Sequence, residues 1–549
     1  MIDAPGNSQN EHEFGRFPNV QSEPVKARSW FKIFTVMTAL FFALFIAALN
    51  TTVVATAIPT ICFDLNSASG YAWIGGSYLL ASTAAAPVWA KLSDIWGRKP
   101  ILLTSVTMYF ASSIVCAVSS SMSMLILGRA LQGTAGGGLT QLVSITISDM
   151  FSMRSRTLYL GLLQAMWAVA GGVGPVLGGA FTQYASWRWN FWINLPISGT
   201  TFLLLLMFLD VHNPRTKLIE GVKAVDWFGS LSILGLMVMP LLGLNFGGTS
   251  FPWNSPKVIC LIVFGSLMFV LFIFSEARLA RYPLMPLGLF RQKSNVACFL
   301  VGFTHLFSVV AAEYYLPLYF QSVKEASPVR SGILILPITI TEALIGIITG
   351  LIIHRTGQYI ELIWIGVTLF AIGTGLYIHL SAVSSVGGIT AFEIVAGIGA
   401  GLLFDPPLIA LQALVSQDDT ATATATLGLV RNLGTCLSIV IGGIVFQNGV
   451  KRQMPNLRAA GLSPIVIQKL SGEAAAANVL IIQTISDQAQ KLAVKEAFAG
   501  SLRNLWVLCT CMSACGVVAS GFIAKQVLSK EHTETKTGIE KQETVVMDS

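Results

Sequence analysis

The sequence has few charged residues: Asp, Glu, Lys and Arg make up 11% of its 549 residues, whereas soluble domains carry about 25%. Hydrophobic residues make up 54%, and the mean hydropathy is +0.69. This composition leaves too few charged groups for a water-exposed surface, which excludes a soluble enzyme or binding domain. It predicts an integral membrane protein that contacts the lipid bilayer.

Several functional signals are also missing. No G-x-x-x-x-G-K-[ST] loop occurs, and no polar segment is large enough for a nucleotide-binding domain, so ATP hydrolysis is not expected. The net charge is +7, but the basic residues are dispersed among loops, which argues against a nucleic-acid partner. The eight cysteines are scattered, and the Cys509-x-Cys511 pair lies inside an apolar run. We therefore expect no cofactor and no metal site.

Long apolar runs dominate what is present. We count fourteen runs close to the roughly 20 residues that cross a bilayer, centred near residues 45, 80, 109, 134, 168, 201, 238, 265, 305, 342, 370, 397, 434 and 513. Two more polar segments divide them into groups of six, two and six. The predicted divisions are a disordered tail (1–32), a six-helix half (33–210), a linker with two extra helices (211–275), a second six-helix half (276–525) with an external loop (449–502), and a second tail (526–549).

The basic residues predict the orientation of these spans. Lys and Arg are far more frequent in the tails and loops on the side of the N-terminus than in the short loops on the other side. Because cytoplasmic loops carry such an excess, both termini are expected in the cytoplasm. In the external loop 449–502, apolar residues recur every three or four positions and alternate with Lys and Glu, which predicts amphipathic helices lying on the membrane.

The loop between the second and third spans reads "AKLSDIWGRKP". Its carboxylate (Asp94), glycine (Gly97) and two cations (Arg98 and Lys99) can form a tight turn that docks as a charged latch on a neighbouring helix end. This stretch resembles the cytoplasmic-loop signature of the major facilitator superfamily, G-x-L-x-D-x-x-G-R-K, with Ala90 in place of the first glycine. A gating role for the four residues is implied by that resemblance.

A second, degraded copy of the loop follows the tenth span. In "GLIIHRTGQY", Gly350 aligns with Ala90, His354 with Asp94, and Gly357 with Gly97. Such an internal repeat is typical of transporters built from two related six-helix halves. The resemblance therefore implies an all-α membrane protein with the major facilitator fold, in which two six-helix halves are joined by two extra central helices.

The fifth span, "GLLQAMWAVAGGVGPVLGGAF", is rich in glycine. Gly174, Pro175, Gly178 and Gly179 resemble the antiporter signature G-x-x-x-G-P-x-x-G-G of the superfamily, with Ala170 at its first glycine. This implies export; an ordinary packing helix with small residues is the alternative. The following "WRWNFWINLP" resembles the start of span six in the fourteen-span drug:proton antiporter branch. Over residues 33–525 the combination is most similar to fungal toxin and multidrug efflux carriers.

An arginine lies inside the fourth span, in "SMLILGRALQGTAGGGL". A charge near the bilayer centre costs about 2.5–3.5 kcal/mol even on the lenient insertion scale. Arg129, Gln132 and Gly133 resemble the R-x-x-Q-G signature of proton-coupled members. Asn50, in the first span, stands where the related branch signature usually has aspartate, so the counter-ion of Arg129 must come from elsewhere or be the cargo itself. The glycosylation sequon that begins at Asn50 lies within a span and is expected to be unused.

Embedded acids are the candidate proton carriers, because intramembrane charges mark proton relays. Superfamily geometry lines the cavity with spans one, four, nine and twelve. This places Glu313 and Glu393 best, with Glu342 next. The alternative is that each acid caps a helix or pairs locally, and for Asp405 we favour that interpretation.

The resulting hypothesis is a secondary active transporter that exports hydrophobic or amphiphilic small molecules in exchange for protons by alternating access. The expected cargo is a secondary metabolite, toxin or drug, and the expected location is the cell membrane, with the vacuole membrane as the alternative. We expect a monomer. The main rival is a vacuolar or plasma-membrane carrier of small polar nutrients such as basic amino acids. An enzyme is disfavoured because His305, the one well-embedded histidine, has no catalytic partner motif nearby.

Overall fold

The computed structural model describes residues 30–54, 57–65, 70–212, 214, 216–247, 251–280, 283–416, 419–470, 475 and 479–528. Within these ranges every long element is a helix, and the sole extended pairing is an isolated bridge between Gly247 and Phe251. The two predicted tails lie outside the described residues, apart from 30–32 and 526–528.

Fourteen long helices follow one another in the described part, and each has a counterpart among the predicted spans. They are α1 (Trp30–Val53), α2 (Gly70–Trp96), α3 (Arg98–Ala117), α4 (Met122–Met150), α5 (Met153–Tyr184), α6 (Asn194–Phe208), α7 (Trp227–Phe246), α8 (Pro256–Phe274), α9 (Lys293–Ser322), α10 (Leu336–Thr356), α11 (Ile360–Leu376), α12 (Val386–Gly401), α13 (Thr420–Ala459) and α14 (Gln488–Ser520). A short helix, Pro406–Leu414, continues α12 after a break.

Twelve of the described helices are long and apolar enough to cross a membrane. The helices α2 and α4 are not among these twelve, because glycine, serine and other small or polar residues dilute their apolar content. Both nevertheless lie within the bundle, packed against each other. A multi-pass membrane architecture is therefore clear, and the count of fourteen spans stays a prediction.

Several helices begin directly after a residue whose side chain caps the helix N-terminus. Ser121, Ser152, Asp226 and Ser255 precede α4, α5, α7 and α8, and each side chain accepts a hydrogen bond from a backbone N–H in the first turn. Such caps satisfy one of the donors that a helix end leaves free. In α8 the first helical residue is Pro256, which has no N–H to lose at that position.

The two extra helices lie along the seam between the halves. They pack against each other, and α7 also packs against α2 of the first half and α13 of the second half. A small apolar cluster joins these elements through Ala84, Ile233, Met237, Phe272 and Leu429. The seam between α2 and α13 is thus covered by a helix pair that belongs to neither six-helix group.

Among the described residues, the large apolar core shared by the halves lies at one end of the bundle. We call it the motif end, because it carries Asp94 and Gly357. Its cluster combines residues of both halves, for example Ile147 with Ile353 and Leu411. At the opposite end, one apolar cluster contains residues of the first half alone and another contains residues of the second half alone. The halves are therefore closed on each other at the motif end.

The helix α13 extends far beyond a membrane core. It has 40 residues, which correspond to about 60 Å, or twice a hydrocarbon thickness of about 30 Å. Its end packs with the short helix Pro464–Lys469 and the start of α14, and Leu457, Leu462, Ile467 and Val494 share one buried cluster. The amphipathic pattern of 449–502 thus buries some of its apolar side chains against one another, and its placement on the membrane surface stays a prediction.

Candidate functional site

Arg129 lies buried in α4, with 2% of its surface exposed. Its Nε donates to the Ile74 carbonyl oxygen at 3.0 Å, and its Nη1 donates to Gln132 Oε1 at 2.8 Å and to Asn50 Oδ1. The guanidinium lies over the Tyr78 ring, 4.5 Å from the centroid, within the range of a cation–π contact. The structure therefore brings Asn50, Arg129 and Gln132 into one network that joins α1, α2 and α4.

The network continues into α3 and is fixed by buried hydroxyls. Gln132 Nε2 donates to Ser113 Oγ at 2.8 Å, while the Tyr78 hydroxyl donates to the Ala47 carbonyl oxygen at 3.1 Å. Tyr109 makes a similar bond to the Ile46 carbonyl oxygen at 2.8 Å. Since each of these groups is held by another helix, the position of the Arg129 guanidinium depends on the packing of four helices.

The acceptors around Arg129 are neutral. They are two amide side chains, one backbone carbonyl and one aromatic face. Among the described residues, no ion pair involves Arg129, whereas Arg98 and Lys525 do pair with carboxylates. The site therefore holds a buried positive charge whose Nε and Nη1 donate to neutral acceptors and which no carboxylate of the described residues pairs.

Glycines in α4 permit the close approach of α2 that this network needs. A Cβ at Gly133 would overlap the Tyr78 carbonyl oxygen, and one at Gly137 would overlap the Ser82 carbonyl oxygen. Backbone atoms cannot move aside as the end of a flexible side chain can. The α2–α4 contact therefore requires glycine at both positions.

We predict that Gly133→Ala lowers the thermal midpoint of the purified protein and impairs transport, because α2 must move away from α4. Overpacking of this kind costs about 1–3 kcal/mol. The matched control is Gly171→Ala in α5, where an added Cβ has no atom within 4 Å. Thermal unfolding followed by intrinsic fluorescence compares the two. Equal midpoints for the two variants would contradict the proposed close contact.

The loop between α2 and α3 forms a buried ion cluster. Arg98 Nε donates to Asp149 Oδ2 at 2.6 Å, and Arg98 Nη1 donates to Asp94 Oδ1 and, at 2.7 Å, to Ser93 Oγ. Asp149 belongs to the end of α4, so the loop docks on that helix. Asp94 and Arg98 are buried, while Lys99 is half-buried at the start of α3.

Both copies of the loop use glycine where the backbone is left-handed. Gly97 has φ of +92° and Gly357 has φ of +75°, a region that other residues rarely adopt. Ala90, at the first glycine of the signature, is buried in a small cluster with Ala421 and Ala425 of α13. The added methyl group is therefore accommodated by small residues on the facing helix.

The second copy of the loop contacts the first half of the chain. His354 Nδ1 donates to the Arg154 carbonyl oxygen at 3.1 Å, and Arg154 Nη2 donates to the Arg355 carbonyl oxygen at 2.9 Å. Thr157 Oγ1 donates to the Gly350 carbonyl oxygen at 3.2 Å. These bonds join α5 to α10 at the motif end.

A buried polar cluster links the halves deeper in the same end. Arg156 Nη1 donates to Gln412 Oε1 at 3.0 Å, and Gln412 Nε2 donates to Ser148 Oγ at 3.0 Å and to Thr424 Oγ1 at 2.8 Å. Gln141 Nε2 donates to the Thr424 carbonyl oxygen at 3.0 Å. The bonds of Arg156 and Ser148 to Gln412, and that of Gln141 to Thr424, cross between the halves, so they must break if the motif end opens.

In the predicted antiporter helix α5, one glycine is required for the close contact with α1. A Cβ at Gly174 would overlap Thr52 Oγ1, whose hydroxyl donates to the Ala170 carbonyl oxygen at 3.0 Å. By contrast, an added Cβ at Gly179 meets no atom within 4 Å. Pro175 and Gly178 lie within the same helix. Gly174 thus allows α1 to approach α5, whereas Gly179 faces open space.

The structure separates the three candidate acids into two places. Glu313 in α9 and Glu342 in α10 are half-buried and close enough to interact electrostatically. Glu393 in α12 is fully buried inside the second half, near the Tyr377 hydroxyl. Neither carboxyl oxygen of Glu393 has a hydrogen-bond partner among the described residues. We call Glu313 and Glu342 the acidic pair because their carboxyl groups act on each other electrostatically, whereas Glu393 lies in α12.

Another arginine within the bundle, Arg431, is half-buried in the first third of α13. Pro406 and Pro407 interrupt the twelfth span and leave carbonyl groups without helical donors. Arg431 Nη2 donates to one of these, the Phe404 carbonyl oxygen, and its guanidinium lies 5.4 Å from the Phe404 ring centroid. The Asp405 carboxyl lies close enough to act on it electrostatically. Asp405 is thus buried beside a cation of another helix.

Sequence reasoning missed several members of these clusters. Asp149 had one available signal, because it is an isolated acid at the inner end of an apolar span, as expected for the partner of a loop arginine. Tyr78 and Ser113 carried no such signal, since single aromatic and hydroxyl residues are common in spans. Their participation depends on how α2 and α3 are rotated against α4.

Comparison with known proteins identifies the architecture. The profile of the Major Facilitator Superfamily matches residues 40–227 and 222–439, which together cover most of the chain. The chain belongs to the Major Facilitator Superfamily. Each of the two matched segments contains one copy of the loop.

Relatives within the superfamily extend over almost the whole chain. The protein named "Efflux pump dotC" of Dothistroma septosporum is 42% identical over 507 residues, which cover 92% of this chain and 87% of the relative. The protein named "MFS-type transporter ppz2" of Metarhizium majus is 41% identical over 514 residues, covering 93% and 88%.

A solved structure shares the fold. The human organic anion transporter MFSD10 (TETRAN) aligns with a TM-score of 0.55 at 16% identity, covering 87% of this chain and 99% of that one. This likeness shows the fold. The family profile and the relatives named as transporters and efflux pumps make this superfamily member a multi-pass membrane transporter rather than an enzyme.

Proposed function

We propose that this protein exports hydrophobic or amphiphilic small molecules in exchange for protons. The observation that carries the proposal is the uncompensated charge of Arg129, which lies between α1, α2 and α4 opposite a half that contains two neighbouring carboxyl groups, Glu313 and Glu342. Intramembrane charges that lack a purely structural role are characteristic of proton and substrate pathways.

The proposed cycle uses the two ends of the bundle in alternation. With the motif end closed, cargo leaves and a proton binds a carboxyl oxygen of Glu313 or Glu342 from the open side. Opening of the motif end breaks the Arg156–Gln412 and Gln412–Ser148 hydrogen bonds described above. The proton then leaves on that side, and cargo enters the site vacated by it.

The proposed direction of transport and the proposed class of cargo rest on the resemblance to efflux pumps. The relative from Dothistroma septosporum is named an efflux pump, and α5 carries Gly174, Pro175, Gly178 and Gly179 in the antiporter pattern. A transport path lined largely by apolar side chains recognises many amphiphilic molecules, because few polar anchors restrict their shape. We therefore propose a secondary metabolite, toxin or drug as the natural cargo.

The placement in the cell is part of the same proposal. We propose that the motif end faces the cytoplasm, together with both termini, because the basic residues concentrate on that side. The protein would then export across the cell membrane as a monomer. Location in the vacuole membrane would instead move the cargo into the vacuole.

The test is transport by yeast cells that lack their own drug exporters and express this protein. We expect energised cells to extrude an amphiphilic fluorescent dye and a protonophore to stop the extrusion. Vesicles from the same cells are tested for uptake of labelled lysine and arginine. Amino-acid uptake without dye extrusion would overturn the proposal in favour of a polar nutrient carrier.

Neutralising both members of the acidic pair should uncouple transport. We expect Glu313→Gln/Glu342→Gln to lower proton-driven dye export roughly tenfold or more, since proton relays depend on these groups. The control is Glu220→Gln, which removes an exposed carboxylate in the linker. Export that keeps its full pH dependence in the double variant would exclude the pair as proton carriers.

A further inference from the structure

An apolar groove opens on the outer face of the second half at the motif end. It lies between the start of α9 and the end of α14 and has a volume of about 650 Å³, within the roughly 300–1,000 Å³ typical of ligand sites. Its walls include Phe290, Leu300, Val518 and Phe522, and each of these side chains is more than a third exposed.

The groove results from the way the two helices meet. A Cβ at Gly516 would lie 2.8 Å from Thr304 Oγ1, so α9 and α14 approach closely at that level. Towards the motif end, Ser294 Oγ accepts a hydrogen bond from the Ala524 N–H at 2.8 Å. Between these two contacts, the small side chain of Ala519 forms part of the lining. The groove is therefore held open by fixed contacts at both ends.

Two cations stand at the mouth of the groove. Arg291 and Lys293 line it at the start of α9, and both residues are exposed. Neither side chain has an ion pair or a hydrogen bond with any residue of the described ranges. By contrast, nearby Lys525 is paired with Glu361. The mouth thus carries two positive charges that the protein itself does not neutralise.

We propose that this groove binds one anionic phospholipid from the leaflet at the motif end. Its phosphate and acidic headgroup pair with Arg291 and Lys293, and an acyl chain fills the apolar part. Basic pockets between transmembrane helices bind such headgroups. From Lys293 to Leu300, α9 rises about 10 Å, which spans most of one leaflet of a hydrocarbon core about 30 Å thick. A zwitterionic phospholipid also has a phosphate, but its cationic headgroup cancels that charge and leaves no net attraction to two cations.

The binding test uses the full-length protein purified in detergent. Phosphatidylserine and phosphatidylcholine with identical acyl chains are added, and bound lipid is counted by native mass spectrometry. We expect phosphatidylserine to bind about tenfold more tightly, from the attraction between two basic side chains and an anionic headgroup. Equal binding of the two lipids would overturn the proposal.

Variants separate the headgroup site from the groove. Arg291→Gln/Lys293→Gln is expected to reduce phosphatidylserine binding to the level of phosphatidylcholine. Ala514→Trp keeps both cations but fills the groove from an exposed position, and it should have the same effect. The matched control, Lys451→Gln/Arg452→Gln, removes two adjacent exposed cations from α13. Loss of selectivity in this control, or full selectivity in Ala514→Trp, would show nonspecific surface attraction and contradict a groove site.

The labelling rate of Cys515 reports whether a lipid occupies the groove, because this residue lines the groove and is exposed. The other exposed cysteines, Cys260 and Cys511, are first replaced by serine. Phosphatidylserine should slow the reaction of Cys515 with an apolar maleimide several-fold, whereas phosphatidylcholine should not. In Arg291→Gln/Lys293→Gln the protection should vanish. Bound phosphatidylserine that leaves the labelling rate of Cys515 unchanged would place the lipid elsewhere and overturn the assignment.

Discussion

Replacing Arg129 by alanine is expected to reduce proton-driven export about a hundredfold. The substitution removes every guanidinium hydrogen bond to Asn50, Gln132 and the Ile74 carbonyl, and it leaves these buried acceptors without their donor. Hydrogen bonds to a charged group contribute about 1.5–3 kcal/mol each, and about 1.4 kcal/mol corresponds to a tenfold change. Initial rates of dye efflux at equal surface expression measure the effect.

A matched control separates this role from the general loss of an arginine. Arg188 also donates to a backbone carbonyl, that of Ser119 at 3.0 Å, and lies 4.3 Å from the ring centroid of Trp187. It lies between α5 and α6, away from the Arg129 network, so Arg188→Ala should keep export near the wild-type rate. Normal export by Arg129→Ala, with full expression, would remove Arg129 from the coupling mechanism.

Loss of Arg98 is expected to have the largest effect on stability. Arg98 is buried between Asp94 and Asp149, so Arg98→Ala removes the one cation that hydrogen-bonds both of these buried carboxylates. Removing one partner from a buried ion pair costs about 3–5 kcal/mol. We expect the thermal midpoint in detergent to fall by roughly 5–10 °C.

Two further variants test this explanation. Lys99→Ala removes the neighbouring, half-buried cation and should change the midpoint little. Arg98→Ala/Asp149→Asn removes the repulsion between the two carboxylates and should recover part of the lost stability. If the double variant were as unstable as Arg98→Ala, or if Lys99→Ala were equally damaging, the ion cluster would not explain the effect.

The helical fold was largely predictable, because the bilayer dictates the length and composition of spans. The glycines of the two loop copies, Gly97 and Gly357, were also informative, since both occupy left-handed backbone positions. The sequence also showed that Asn50 has no carboxylate to neutralise Arg129, and the structure places its amide oxygen against the guanidinium. Each of these features can be recognised in a short stretch of a single sequence.

The remaining contacts depend on how helices rotate against one another. Glu313 and Glu342 lie on successive helices, and no residue pattern fixes which way each side chain points, so their electrostatic interaction required the structure. The same is true of Tyr78, which reaches Arg129 from α2. The sequence did not predict that α13 extends to Ala459. An amphipathic pattern predicts a helix, but it does not predict which residues cover the apolar face of that helix.

The most direct test of proton-coupled export is a measurement of dye and proton movement together in proteoliposomes. The protein is reconstituted, a pH gradient is imposed, and the transport of an amphiphilic dye is followed alongside the internal pH. We predict that the gradient drives the dye to a concentration above equilibrium and that the dye, in turn, speeds the decay of the gradient. Dye movement that only follows its own concentration difference, with no effect on proton flux, would contradict the account.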